Sequence, residues 1–126
     1  MATGHTDLAR EMRLAARENL AAAILLLEHG YIRASASRFY FAMFQAVLCV
    51  LARRGEKPPG GRDRYWSHDL VERAAASIRG SKANALLFKR LRRLRTRADY
   101  HEARIPRADL ELEKHDVRRF VEEVTA

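Results

Sequence analysis

Apolar and aromatic side chains recur every three or four residues along residues 33–54, as Phe39, Tyr40, Met43, Phe44, Val47, Leu48 and Leu51. That interval is the period of an α-helix and excludes a strand, whose buried positions alternate. The apolar surface is wide, so the segment predicts a central helix covered by neighbours on several sides. Ser35 and Ser37 fall near its start, where hydroxyls can cap a helix. Gln45 stands in a dense apolar stretch and reads equally as a buried hydrogen-bonding group or a mark of a dimer face. Cys49, the single cysteine, is expected to be a small buried apolar residue.

The rest of the chain repeats the helical period between clear breaks. Residues 6–29 predict a first helix, with Leu8, Met12, Ala15, Ala16, Asn19, Ala22, Ala23 and Leu26 inward, Arg10, Arg13 and Arg17 on more polar positions, and Gly30 as its stop. Residues 55–66, GEKPPGGRDRYW, hold two prolines and three glycines and predict a loop, with Trp66 anchoring its end against the bundle. Ser67 can cap a third helix over 68–79, with Leu70, Val71, Ala74, Ala75 and Ile78 inward. Gly80 ends it, and Ser81 can cap a fourth helix over 82–101 whose apolar positions are Leu86, Leu87, Leu91, Leu94 and Ala98. Pro106 breaks the chain, and Asp109 is expected to cap a last helix over 110–124, with Leu110, Val117, Phe120, Val121 and Val124 inward. The sum is an all-α, up-and-down bundle of four or five helices in one domain, residues 1–126.

The longest apolar run, Leu20 to Leu27, is too short to cross a bilayer, which takes about 20 residues. The start lacks a basic segment followed by an apolar block and a cleavage site. A cytoplasmic protein without a membrane partner is expected. His5, His29 and His115 show no metal-site spacing, so no metal or cofactor is expected.

Basic residues number 24 against 16 acidic, for a formal net charge of +8, and twenty of the basic residues are arginine. That excess permits binding to a polyanion without establishing it, since an arginine habit also follows from genome composition. The charge concentrates at Lys89, Arg90, Arg92, Arg93, Arg95 and Arg97, a span with no acidic residue, and these cannot all line one groove because a helix wraps them around several faces.

That run ends in LRTRADYHEA, residues 94–103. Arg95 and Asp99 are four apart, so the carboxylate can hold the guanidinium by a charge-assisted hydrogen bond. Arginine offers several donors to a phosphate and can stabilise transition-state charge, and histidine transfers protons near neutral pH. RNA carries its own nucleophile, the 2′-hydroxyl, so Arg95 and His101 suit its cleavage without a metal. One histidine is a poor complete acid–base pair, and a symmetric dimer would supply a second. Lys89, Arg92, Arg93 and Arg97 are candidate RNA or nucleotide contacts. His68 either faces the same cleft and binds phosphate, caps the third helix, or lies in solvent.

Three pieces, taken in order, resemble the HEPN-domain family of small helical domains associated with nucleotide and RNA biology. They are ASASRFYFAMFQAVLCVLARRG at 34–55, SHDLV at 67–71 and RTRADYH at 95–101. The resemblance covers most of the chain. HEPN ribonucleases are metal-independent endoribonucleases that usually act as dimers, and their motif is an arginine, four to six intervening residues and a histidine. Arg95 and His101 fit that form, and Thr96 stands where many members carry a polar residue that assists the site. Several members are toxins paired with a nucleotidyltransferase antitoxin. In that branch a tyrosine two residues beyond the histidine is a modification target, and here the position is Ala103. The closer resemblance is to an uncharacterised branch centred on R-x-x-A-D-Y, here Arg95, Ala98, Asp99 and Tyr100. Gln45 stands where such helices often carry histidine.

The resemblance thus implies a homodimeric endoribonuclease of single-stranded RNA, toxin-like, with Arg95 and His101 catalytic and Thr96, Asp99 and Tyr100 supporting. Its alternative is a noncatalytic nucleotide- or RNA-binding or protein-interaction module that partners a nucleotidyltransferase.

Overall fold

The computed structural model describes residues 3–59, 65–100 and 104–126. Five α-helices and no strand occur among them: α1 (Thr3–Glu28), α2 (Ile32–Arg53), α3 (His68–Ser77), α4 (Lys82–Tyr100) and α5 (Arg107–Val124). A 3₁₀ turn, Ile78–Gly80, extends α3. The all-α bundle is the one the apolar periodicity predicts.

The helix ends follow local chemistry. At the end of α1 the Tyr31 amide donates to the Leu26 carbonyl and the Gly30 amide to the Leu27 carbonyl. This is a Schellman-type stop, and it needs Gly30 at φ +80°, where a side chain would be strained. Ser67 caps α3 as expected, its hydroxyl oxygen accepting from the Leu70 amide at 3.2 Å. The expected cap of α5 by Asp109 is corrected. The helix begins at Arg107 with Pro106 at the cap position, and Asp109 lies in the first turn, where its carboxylate complements the positive helix end. Ser35 does not cap α2 either, because Tyr31 holds that position. Its hydroxyl instead donates to the Ala23 carbonyl of α1 at 2.8 Å.

The centre of the bundle is α2, with Phe39, Tyr40, Met43 and Val47 fully buried. By length and composition it resembles a membrane span, yet here its apolar residues form the core. Against it α1 lays Ala16, Leu20, Ala23 and Leu27. This face is rotated from the expected one, and Leu8 is 48% exposed. Alanines at this seam let α1 and α2 approach closely. Gln45 is a hydrogen-bonding group: its side-chain oxygen accepts from the Asn19 amide at 2.6 Å. Cys49 is buried and Trp66 packs against the core, both as expected. In α4 the inward residues are Leu87, Phe88, Leu91, Leu94 and Ala98, whereas Leu86, expected inside, is 55% exposed.

Pairings across the helices fix their directions. Arg33 donates to the Ala98 carbonyl at 2.7 Å, and Tyr40 and Phe44 pack on Phe88, so α2 and α4 are antiparallel. Arg92 meets Asp69 and Lys89 meets Glu72, so α3 and α4 are antiparallel too. The chain therefore alternates at each connection except that between α2 and α3, which run in the same sense.

Three arginines converge on the end of α5. Arg13 donates to the Thr125 carbonyl at 2.7 Å, Arg17 to the Thr125 hydroxyl at 3.0 Å, and Arg53 to the Val124 carbonyl at 2.9 Å. Arg13 and Arg53 satisfy carbonyls at the helix end, and all three cations complement its negative pole. A share of the net positive charge is therefore structural.

Candidate functional site

Along α4, Phe88, Arg92, Arg95 and Asp99 fall on one stripe at helical spacing. Facing it, α2 supplies Tyr40, Phe41 and Phe44, and the first turn of α3 supplies His68 and Asp69. The capped start of α3 fixes where those two residues stand.

Arg95 lies over two rings. Its guanidinium carbon is 4.9 Å from the Phe41 centroid and 5.3 Å from that of Tyr40. The Asp99 carboxylate is 3.3 Å from Arg95 Nε, close enough for an ion pair. The approach does not form a hydrogen bond, however, and Nε is buried with no hydrogen-bond partner among the described residues. The angle decides here: charge attraction survives poor alignment, whereas a hydrogen bond does not. Arg95 is thus oriented by stacking and charge. Beside it, Arg92 donates to Asp69 at 2.7 Å.

His68 is hydrogen-bonded through Nδ1 to the Tyr40 hydroxyl. Its ring stacks on Tyr40 at 5.5 Å and tilts against Phe44 at 5.2 Å. Burial, then the charges of Arg92 and Arg95, push the imidazole below its ordinary range, so it is neutral at neutral pH. Burial pushes the Tyr40 phenol up to about 12, against the pull of the same arginines. The bond from Arg92 holds the Asp69 carboxyl below the usual carboxylate range.

The other residues of the basic run are distributed around α4. Lys89 faces Glu72 at 3.8 Å, and Arg90 turns away to Glu113 and Asp116 of α5. Arg93 has no ion pair among the described residues, and Arg97 donates to the Arg104 carbonyl at 3.0 Å. With Glu72, the residues Lys89, Arg92, Arg93, Thr96 and Arg97 line an open groove of about 480 Å³. The Thr96 hydroxyl donates to the Arg92 carbonyl of its own helix at 2.9 Å. A cleft of about 430 Å³ near the start of α4, bounded by Arg79, Arg90, Arg119 and Glu123, has no histidine and carries charges of both signs. The α2–α3–α4 cluster, by contrast, joins a histidine and two arginines to aromatic rings.

Of the residues singled out in the sequence, the structure brings together His68, Arg92, Arg95 and Asp99, with Lys89, Arg93, Thr96 and Arg97 along the adjoining groove. Tyr100 is 68% exposed. His101 lies outside the described residues, as does part of the expected loop, residues 60–64. Tyr40, Phe41 and Phe88 escaped sequence reasoning as site residues because they share the period of the core. The signal that separates Tyr40 is its hydroxyl, a polar group at a buried position that requires a partner. Among the described residues no cluster of histidine, cysteine, aspartate and glutamate could hold a metal ion.

The fold and site define a helical domain with a cationic, aromatic-backed cluster at the junction of three helices. The HEPN domain family model matches residues 9–126, and the chain belongs to that family. No curated protein matches the chain, and no solved structure does.

Proposed function

We propose that this chain is a metal-independent endoribonuclease of single-stranded RNA, toxin-like, acting as a homodimer, in the R-x-x-A-D-Y branch marked by Arg95, Ala98, Asp99 and Tyr100. The observation that carries the reading is the posture of Arg95, stacked on two rings with a buried Nε that has no hydrogen-bond partner among the described residues. Such a guanidinium is preorganised for an anion and loses little side-chain entropy on binding one.

In this reading Arg95 and Arg92 hold the non-bridging oxygens of one phosphodiester. The 2′-oxygen forms a bond to phosphorus as its proton passes to His101. The bond from phosphorus to the 5′-oxygen breaks, and that oxygen takes its electron pair and a proton. In-line attack puts the departing oxygen opposite the attacking one, so a second histidine, from the partner protomer, suits the second transfer. Asp99 orients Arg95, Lys89, Arg93 and Arg97 carry the flanking phosphates along the groove with Thr96, and the exposed Tyr100 packs against the bound strand.

One observation favours the alternative, a noncatalytic module that partners a nucleotidyltransferase antitoxin: Arg92 and Arg95 each already face a carboxylate, Asp69 and Asp99. The test is incubation of a mixed RNA pool in excess chelator with wild type, Arg95→Ala and His101→Ala, matched for folding and dimerisation. The endoribonuclease cuts as wild type and loses cutting in both variants. Equal cutting by all three marks a contaminant, and no cutting of any RNA selects the binding module.

A further inference from the structure

Tyr40 is buried, and its hydroxyl meets His68 Nδ1. A phenol has one hydrogen to donate, and a neutral imidazole has one nitrogen that donates and one that accepts. If Nδ1 carried the imidazole proton, the Tyr40 hydrogen would have to turn away from it. That hydroxyl has no other acceptor among the described residues, and a buried donor without an acceptor is unfavourable. The satisfied arrangement has Tyr40 donating to an unprotonated Nδ1. The proton of His68 then resides on Nε2, the nitrogen left for a ligand.

We propose that Tyr40 is a positioning residue which fixes His68 as a neutral Nε2–H donor to a phosphate oxygen held by Arg92 and Arg95. The proposal rests on the phosphodiester-binding reading of this site and adds a third ligand from α3 together with the residue that sets its tautomer. It also separates His68 from proton transfer, because its lone pair is engaged by Tyr40.

The groups around the imidazole agree with this. From α2 it faces Tyr40 and Phe44, from α4 the cations Arg92 and Arg95, and on α3 it adjoins Asp69. The two cations oppose an imidazolium, which would also place an Nδ1–H against the phenol hydrogen. The phenol keeps its proton at neutral pH, being pushed up to about 12. Arg92 is drawn toward Asp69 and Arg95 toward Asp99, so a phosphate would meet two oriented guanidiniums and one neutral donor.

The test uses the full chain with nitrogen-15-labelled histidine. The ring nitrogens of His68 are assigned against the His68→Gln variant, and inorganic phosphate, then a short single-stranded RNA, is titrated at neutral pH. The expected spectrum has an unprotonated Nδ1 and a protonated Nε2, with the Nε2 resonance moving as phosphate binds. Tyr40→Phe, which keeps the ring, should fold, lose the tautomer preference and bind phosphate more weakly. Glutamine places an amide donor near the position of Nε2, so His68→Gln should retain most of the affinity. His68→Ala should lose about ten- to hundredfold, the value of one hydrogen bond to a charged group. A protonated Nδ1, an Nε2 resonance unmoved by phosphate, or equal loss in the glutamine and alanine variants would overturn the proposal. An Nε2 that responds to phosphate in a protein that cuts no RNA would support it while removing the endoribonuclease reading.

Discussion

Replacing Arg95 with methionine separates a residue held for binding from one held for stability. Stacking on two rings, at 4.9 and 5.3 Å, is worth about 1–2 kcal/mol for a guanidinium that is 29% exposed. The ion pair with Asp99, a half-exposed carboxylate four residues on, adds about 0.3–0.5 kcal/mol. Against these stands a buried Nε without a hydrogen bond among the described residues, which costs about 1–3 kcal/mol. Methionine keeps an unbranched apolar stem against Tyr40 and Phe41 and removes the orphaned donor. The contributions cancel to within about 2 kcal/mol, so unfolding free energy from urea titration should change by less than that. Affinity for a labelled single-stranded RNA, read by fluorescence anisotropy at low salt, should fall about ten- to hundredfold, as expected for lost charge-assisted bonds. A loss of more than about 2 kcal/mol in stability with unchanged affinity would show that Arg95 serves the fold, and the reasoning would fail.

Phe88 is fully buried against Tyr40 and Phe44, so Phe88→Ala should destabilise the chain by about 3–5 kcal/mol in urea, whereas Leu86→Ala, at a position 55% exposed, should stay within about 0.5 kcal/mol. The depressed pKa of His68 makes stability complete above the unfolded histidine value, about 6.5, and lowers it as pH falls toward the folded value, because the unfolded chain takes up the proton first. His68→Gln should therefore flatten the stability profile below about pH 6.5 and leave the neutral region unchanged in slope. RNA affinity should fall linearly with salt on logarithmic axes, and Arg93→Gln, which removes a groove cation without an ion pair among the described residues, should reduce the slope by about one phosphate.

The helices were legible because their apolar intervals and their glycine, proline and serine breaks are local signals. Ser67 announced the start of α3, and the wide apolar face of α2 announced its central place. The rotation of α1 was not legible: its many alanines lie on several faces, and only packing against α2 decides that Leu20 and Leu27 turn in while Leu8 turns out. Asp109 illustrates a competing rule, since a proline that fixes its own φ starts the helix three residues earlier. In the site, Arg95 and Asp99 could be paired from their spacing alone. The meeting of Arg92 with Asp69, and of His68 with Tyr40, joins residues 23 and 28 positions apart and depends on how α3 lies on α2 and α4. The basic run wraps around α4 as its helical spacing implies, and Arg90 finds its partners on α5 rather than in the groove.

The most direct test of the central claim is the chemistry of the cut ends. A defined single-stranded RNA is cleaved in excess chelator, its fragments are characterised by mass, and the experiment is repeated with a single 2′-deoxy substitution at the cut nucleotide. Attack by the RNA’s own 2′-oxygen at the phosphate held by Arg95 predicts a cyclic 2′,3′-phosphate on one fragment, a 5′-hydroxyl on the other, and no cutting at the substituted position. Fragments bearing a 5′-phosphate, or undiminished cutting at the deoxy nucleotide, would contradict it.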